Sequence, residues 1–208
     1  MACFNNYNDI KHLIDSNSII FDIGSNIGNF SKRITESRNY KTIYLFEPVT
    51  EYLEMSKILL QNENCYFINK GVSNKNEQLT LYKSDIDKNI GWNTFLKKDP
   101  NQPEGFYNKM NSEIKDVITL DSFCEINNIQ HIDLIKIDVE GLECNVLEGF
   151  MKTLTNMKKK PHIYIEVGWG TKHPHWEYCE NIYNKLFEIG YNYVNFSDKT
   201  EDILFIPL

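Results

Sequence analysis

Five short apolar runs, separated by helix-forming patterns, constrain this chain more than any other feature. They are Ser18 to Ile23, Lys41 to Phe46, Cys65 to Ile68, Asp133 to Asp138 and His162 to Val167. Each is rich in β-branched or aromatic residues and lacks strict alternation, as expected of strands buried on both faces of a parallel sheet. Between them, Phe30 and Ile34 sit four apart, and Thr50 reads as an N-cap before Tyr52, Met55, Ile58 and Leu59. Thr119 reads as a cap for Leu120, Phe123 and Ile126. Leu142, Val146 and Phe150 form one helical stripe; Trp176, Cys179, Tyr183 and Leu186 form another, ended by Gly190. Strands alternating with helices predict an α/β fold, a parallel sheet with right-handed crossovers and helices on both faces.

The end of the chain departs from that alternation. Tyr191 to Phe196 and Asp202 to Ile206 are joined by a short polar loop. Two such strands predict a hairpin, so the last strand runs antiparallel. Gln78 to Lys83 alternates like an edge strand, and residues 84–116 carry little periodicity around Gly91, Pro100, Pro103 and Gly105. A stretch that long inside a compact unit reads as a substrate loop or as a passive insertion. The 208 residues suit one domain, with residues 1–17 as an N-terminal segment.

Composition excludes several classes. Aromatic residues make up 13% and apolar runs recur throughout, which argues against disorder. No apolar stretch approaches the roughly 20 residues of a bilayer span. Met1 to His12 lacks the basic flank and apolar run of a signal peptide, so a cytoplasmic protein is expected. The five cysteines are widely spaced without a C-x-x-C pair, which reads as reduced thiols. One alanine, two arginines beside 20 lysines and 25 asparagines read as codon bias of an AT-rich genome. With a net charge of −7 and so few guanidinium forks, broad nucleic-acid binding is disfavoured.

The first apolar run leads into Asp22-Ile23-Gly24-Ser25-Asn26-Ile27-Gly28. A strand, a glycine turn and a helix start present bare backbone N–H groups to a nucleotide-like ligand. The dinucleotide pattern fails, because Asn26 and Asn29 stand where glycines would be required, so close approach of a pyrophosphate is not demanded. An acid at the strand end suits a ligand with a cationic group, as S-adenosylmethionine has. Glu47 ends the second run, 23 residues after Gly24, where an acid accepts the ribose hydroxyls of an adenosine. The same residue could equally serve the helix start near Thr50.

Four segments make the chain resemble the FkbM-type S-adenosylmethionine-dependent methyltransferases. They are Phe21 to Gly28, Phe46-Glu47-Pro48, Ile118 to Phe123 and, most specifically, Leu134-Ile-Lys-Ile-Asp-Val-Glu-Gly141. The resemblance runs from about Ser18 to Leu208 and implies the seven-stranded methyltransferase sheet with an antiparallel last strand. It implies cofactor roles for Asp22, Gly24, Ser25, Asn26, Gly28 and Glu47, with Asp138 beside them. It also suggests an O-methyltransferase acting on a sugar hydroxyl, in a glycan or a glycosylated metabolite. The alternatives are methylation of an RNA 2′-hydroxyl, or a module that binds the cofactor without turnover.

Catalysis needs a group that takes a proton from the acceptor hydroxyl, or a metal that acidifies it. Asp138 and Glu166 end the fourth and fifth runs and fall on the carboxyl edge of a parallel sheet. They could hold Mg²⁺, a hard oxygen-seeking ion, or orient substrate or cap helices. Glu140 either reaches the acceptor or caps the following helix. Lys136 either pairs with a carboxylate or, if burial lowers its pKa, acts as a base. His173 and His175 are candidate general bases or ordinary loop residues. Trp92 and Trp169, with Trp176 and Tyr107, could stack on a sugar ring or simply anchor their loops.

Overall fold

The computed structural model describes residues 10–61, 64–83, 93–96, 111–167, 173, 175–195 and 202–208. The expected alternation is present. Strands β1 (Ile19–Ile23), β2 (Thr42–Phe46) and β3 (Cys65–Ile68) are followed by a small pair of elements, β4 (Gly71–Val72) and β5 (Glu77–Lys83). Then come β6 (Asn111–Ile118), β7 (Leu134–Ile137), β8 (His162–Glu166), β9 (Tyr191–Asn195) and β10 (Asp202–Pro207). The helices are α1 (Asn29–Ser37), α2 (Thr50–Leu60), α3 (Leu120–Ile126), α4 (Glu143–Glu148), α5 (Met151–Asn156) and α6 (Trp176–Glu188).

Seven strands form the main sheet in the order β3-β2-β1-β7-β8-β10-β9. β1 pairs in parallel with both β2 and β7, and β7 pairs in parallel with β8. β10 inserts antiparallel between β8 and β9, as the terminal hairpin predicted. The order reverses between β1 and β7, so their carboxyl ends open a crevice at the switch point.

The period-2 alternation of strand side chains separates two cores. Phe21, Ile23, Ile135, Ile137, Ile163 and Ile165 face α3 to α6. Ile20, Ile43, Leu45, Leu134 and Tyr164 face α1 and Ile10 and Ile14 of the N-terminal segment. Asp22 and Lys136 stand opposite each other in register on this second face, among apolar neighbours. Cys65, Cys124, Cys144 and Cys179 are free and buried.

Three details refine the sequence expectations. Thr119 caps α3, its hydroxyl accepting the Ser122 N–H at 3.0 Å, as predicted. Thr50 does not cap α2: Val49 is the N-cap residue, and the Thr50 hydroxyl donates instead to Asn69 Oδ1. The Glu47 carboxylate accepts the N–H of the N-cap residue Val49 at 2.8 Å. Gln78 to Lys83 is a strand, but of a second sheet, β4-β6-β5, in which β5 and β6 are antiparallel. Residues 111–116 of the stretch expected to be irregular therefore belong to β6.

Candidate active site

The site forms around the switch point, and its first half is the turn after β1. Gly24, Asn26 and Gly28 have φ of 73°, 51° and 85°. This left-handed region favours glycine and tolerates asparagine. At Gly24 a side chain is excluded outright, because a Cβ would overlap the Asp138 carbonyl oxygen. The turn is therefore pressed against the end of β7. Gly24 and Ser25 donate their N–H groups to the Phe46 carbonyl, each at 3.0 Å. Gly28 is the N-cap of α1 and makes no side-chain cap hydrogen bond. The Ser25 hydroxyl is buried and has no hydrogen-bond partner among the described residues.

Glu47, at the end of β2, closes this half. Its Oε2 accepts the Asn26 N–H at 2.9 Å, while Oε1 accepts that of Val49. Glu47 thus bridges the glycine turn, at Asn26, and the N-cap residue of α2, Val49. Burial pushes its pKa up to about 7 against the lowering effect of these two N–H groups. Each carboxylate oxygen retains a second lone-pair direction for a ligand hydroxyl.

Asp22 lies beneath the turn rather than on its rim. Its carboxylate is fully buried, accepts the Ser31 hydroxyl at 2.7 Å and sits 3.4 Å from the Lys136 ammonium. Lys136 also donates to the Gly24 carbonyl at 2.6 Å and lies 3.4 Å from Asp138 Oδ2. Burial alone would lower the Lys136 pKa, but the carboxylates of Asp138 and Asp22 outweigh it and the net shift is upward. Lys136 accordingly pairs with carboxylates, and the base role that burial alone would have allowed is overturned.

The second half is built on the ends of β7 and β8. Carboxylate oxygens of Asp138, Glu140 and Glu166 lie within 4.8 Å of one another. The register of β7 with β8 places Ile137 opposite Ile165, so the residues that follow emerge at the same edge. Glu140 has φ 55°, a conformation that a non-glycine side chain rarely adopts and that clusters at functional sites. Two contacts hold it there. Glu143 accepts the Val139 and Gly141 N–H groups, and the Thr94 hydroxyl donates to the Glu140 carbonyl at 2.6 Å. Burial, then the charges of Asp138 and Glu143, push the Glu140 pKa up to about 8.

A small cleft opens beside Glu140 and Glu166, between α4 and α6. Glu140, Glu166, His173, Trp176, Cys179 and Tyr183 are among its lining residues. His173 is held by both ring nitrogens: Nε2 is 3.0 Å from the Gly141 carbonyl, and Nδ1 accepts the His175 N–H at 3.1 Å. In the neutral ring the second contact makes Nδ1 the acceptor, with Cys179 Sγ 3.7 Å from the same nitrogen, and Nε2 then donates to the Gly141 carbonyl. In this arrangement His173 anchors the β8–α6 connection to the Glu140 turn, and its basic nitrogen is occupied. Trp92 and Trp169, expected to meet the acceptor, lie outside the described residues.

The structure thus brings Gly24, Ser25, Asn26, Gly28 and Glu47 to one side of the crevice and Asp138, Glu140, Glu166 and His173 to the other. Glu143 and Thr94 hold the second side. An acid just past Gly141, at the start of a helical stripe, was the available sequence signal for Glu143. Nothing in the sequence pointed from Thr94 to Glu140.

A family model described as Methyltransferase FkbM domain matches residues 22–193. Methyltransferase 1 of Beauveria bassiana (strain ARSEF 2860) is 28% identical over 144 residues, 64% of this chain and 58% of that protein. Among solved structures, the methyltransferase FkbM of Methylobacillus flagellatus KT superimposes with a TM-score of 0.58 at 15% identity, over 92% of this chain and 44% of that one. A candidate methyltransferase of Streptococcus mutans in complex with SAH does so at 0.51 and 13% identity, over 96% and 93% of the two chains. The chain therefore spans less than two thirds of the first two relatives. The two solved structures, at these identities, show the fold.

Proposed function

We propose, from the premise that this chain belongs to the FkbM methyltransferase family, that it transfers a methyl group from S-adenosylmethionine to a sugar hydroxyl. The acceptor would be part of a glycan or a glycosylated metabolite. The observation that carries this reading is the meeting of Asp138, Glu140 and Glu166 within 4.8 Å of one another, with Glu140 and Glu166 lining the α4–α6 cleft.

The residues present fit the cofactor. The buried Ser25 hydroxyl, which has no partner among the described residues, the uncapped start of α1 and the turn that admits no Cβ at Gly24 would form a cradle for it. Glu47 would accept the ribose hydroxyls, and the start of α1 would favour the carboxylate of the methionine part. When bound, S-adenosylmethionine supplies an electrophilic methyl group on a sulfonium.

The chain's own residues then have three tasks. Glu140, with its pKa near neutrality, is suited to take the proton from the acceptor hydroxyl. Asp138 and Glu166 would orient neighbouring hydroxyls by accepting hydrogen bonds. Holding nucleophile and methyl in line accounts for much of the acceleration such a site can give. Asp138 and Glu166 would also serve as hard ligands for Mg²⁺, which would lower the pKa of the hydroxyl. An RNA acceptor would bring phosphates towards three carboxylates, and like charges at close range repel.

A turnover assay with S-adenosylmethionine across deoxysugars, glycans and RNA, with and without Mg²⁺, tests the proposal. Methylation of a sugar hydroxyl is expected. Methylation of RNA, or an inert protein across all the sugars, counts against it.

A further inference from the structure

Lys136 is a buried ammonium that no part of the proposed chemistry uses. It is 3% exposed and lies on β7, opposite Asp22 of β1, on the apolar face that packs against α1. Burying a charged pair costs desolvation, and apolar residues of similar size often serve stability as well or better. The geometry around Lys136 does more than neutralise Asp22. Nζ donates to the Gly24 carbonyl at 2.6 Å and to the Ile23 carbonyl at 3.4 Å, and it lies in ion-pair range of Asp22 Oδ1 and Asp138 Oδ2, each at 3.4 Å. Its shortest contact is thus to the carbonyl of the glycine turn, not to a carboxylate.

Those partners belong to different halves of the site. Gly24 begins the cofactor turn, and Asp138 begins the acceptor-side carboxylates. The backbone supports the same junction: the Asp138 N–H donates to the Ile23 carbonyl at 3.1 Å. We propose that Lys136 is a positioning residue whose ammonium fixes the Gly24 carbonyl and the Asp138 carboxylate relative to each other, setting the cofactor turn and the acceptor edge in one geometry. This rests on the reading of the glycine turn as the cofactor cradle. Lys136 touches neither cofactor nor acceptor; it acts through Gly24 and Asp138. A misplacement of about 1 Å at such a junction is enough to cost on the order of a hundredfold in rate.

The test is titration calorimetry of S-adenosylhomocysteine with the full chain, alongside thermal melting. Lys136→Met keeps most of the side-chain volume and removes the charge. Tyr164→Phe is the control: it removes a buried hydrogen bond to Asp202 on the same sheet face without touching the turn. Lys136→Met should weaken S-adenosylhomocysteine at least about tenfold, the scale of losing a charge-assisted hydrogen bond. Tyr164→Phe should lower the melting temperature and leave affinity within about twofold. If both variants lose affinity in step with melting temperature, or Lys136→Met binds like the parent, the proposal is overturned. On the unmodified protein, the Lys136 ammonium resonance should shift when S-adenosylhomocysteine is added. An unmoved resonance overturns the proposal even if the variant fails to fold. If the unmodified protein shows no binding, the cofactor reading itself falls, a result distinct from either.

Discussion

The two halves of the site solve opposite problems. At the glycine turn, every described feature fixes the backbone: three left-handed residues, two N–H groups on the Phe46 carbonyl, and Glu47 bridging Asn26 and Val49. At the ends of β7 and β8, carboxylates are crowded together and one of them sits on a strained residue. One half spends its interactions on shape, and the other holds charge in an unfavourable place. The contrast fits the two ligands proposed: a cofactor that must always sit alike, and a proton that must leave.

Breaking the first half should have the largest effect. Gly24→Ala forces a Cβ into the Asp138 carbonyl oxygen at a φ of 73°. The left-handed conformation alone costs about 1–2 kcal/mol, and the overlap adds a backbone shift. S-adenosylhomocysteine binding should fall below detection by calorimetry while circular dichroism still shows an α/β fold.

The second half should fail differently. Glu140→Gln removes the proton acceptor and keeps the shape. We expect kcat to fall by roughly 10²–10⁴, the usual contribution of general-base catalysis, with cofactor affinity within a few-fold of the parent. The limb of the pH–rate profile near 8 should vanish with it. Loss of cofactor binding in this variant would erase the division between the halves.

The smallest effect is on stability. Glu47 and Glu140 have folded-state pKa values raised from 4.5 to about 7 and about 8. The native state therefore holds protons that the unfolded chain has released. Their contribution is fully present below about pH 4.5 and is lost as pH rises through the folded-state values. Melting temperature should fall by a few degrees between about pH 6 and pH 8.5, and Glu140→Gln should flatten the upper part of that decline.

Local patterns carried much of this architecture. The turn at Gly24 and the acids at strand ends were legible because a parallel sheet puts every strand's carboxyl end on one edge. Other features depended on partners distant in sequence. β5 reads as an edge strand, but its partner β6 begins at Asn111, so the second sheet could not be inferred from local alternation. Thr50 was a plausible cap, but Val49 holds the N-cap position and the Thr50 hydroxyl turns to Asn69. The alternatives for Lys136 stayed open because its burial was foreseeable and its register opposite Asp22 was not. Glu140 and His173 are adjacent only through the cleft, where Gly141 accepts from His173.

A structure of the S-adenosylhomocysteine complex tests the division between the two halves most directly. The account predicts ribose hydroxyls on Glu47 and the open side of the sulfur facing the space before Glu140 and Glu166. A ligand seated with its sulfur turned away from those carboxylates, or with its ribose off Glu47, would contradict it.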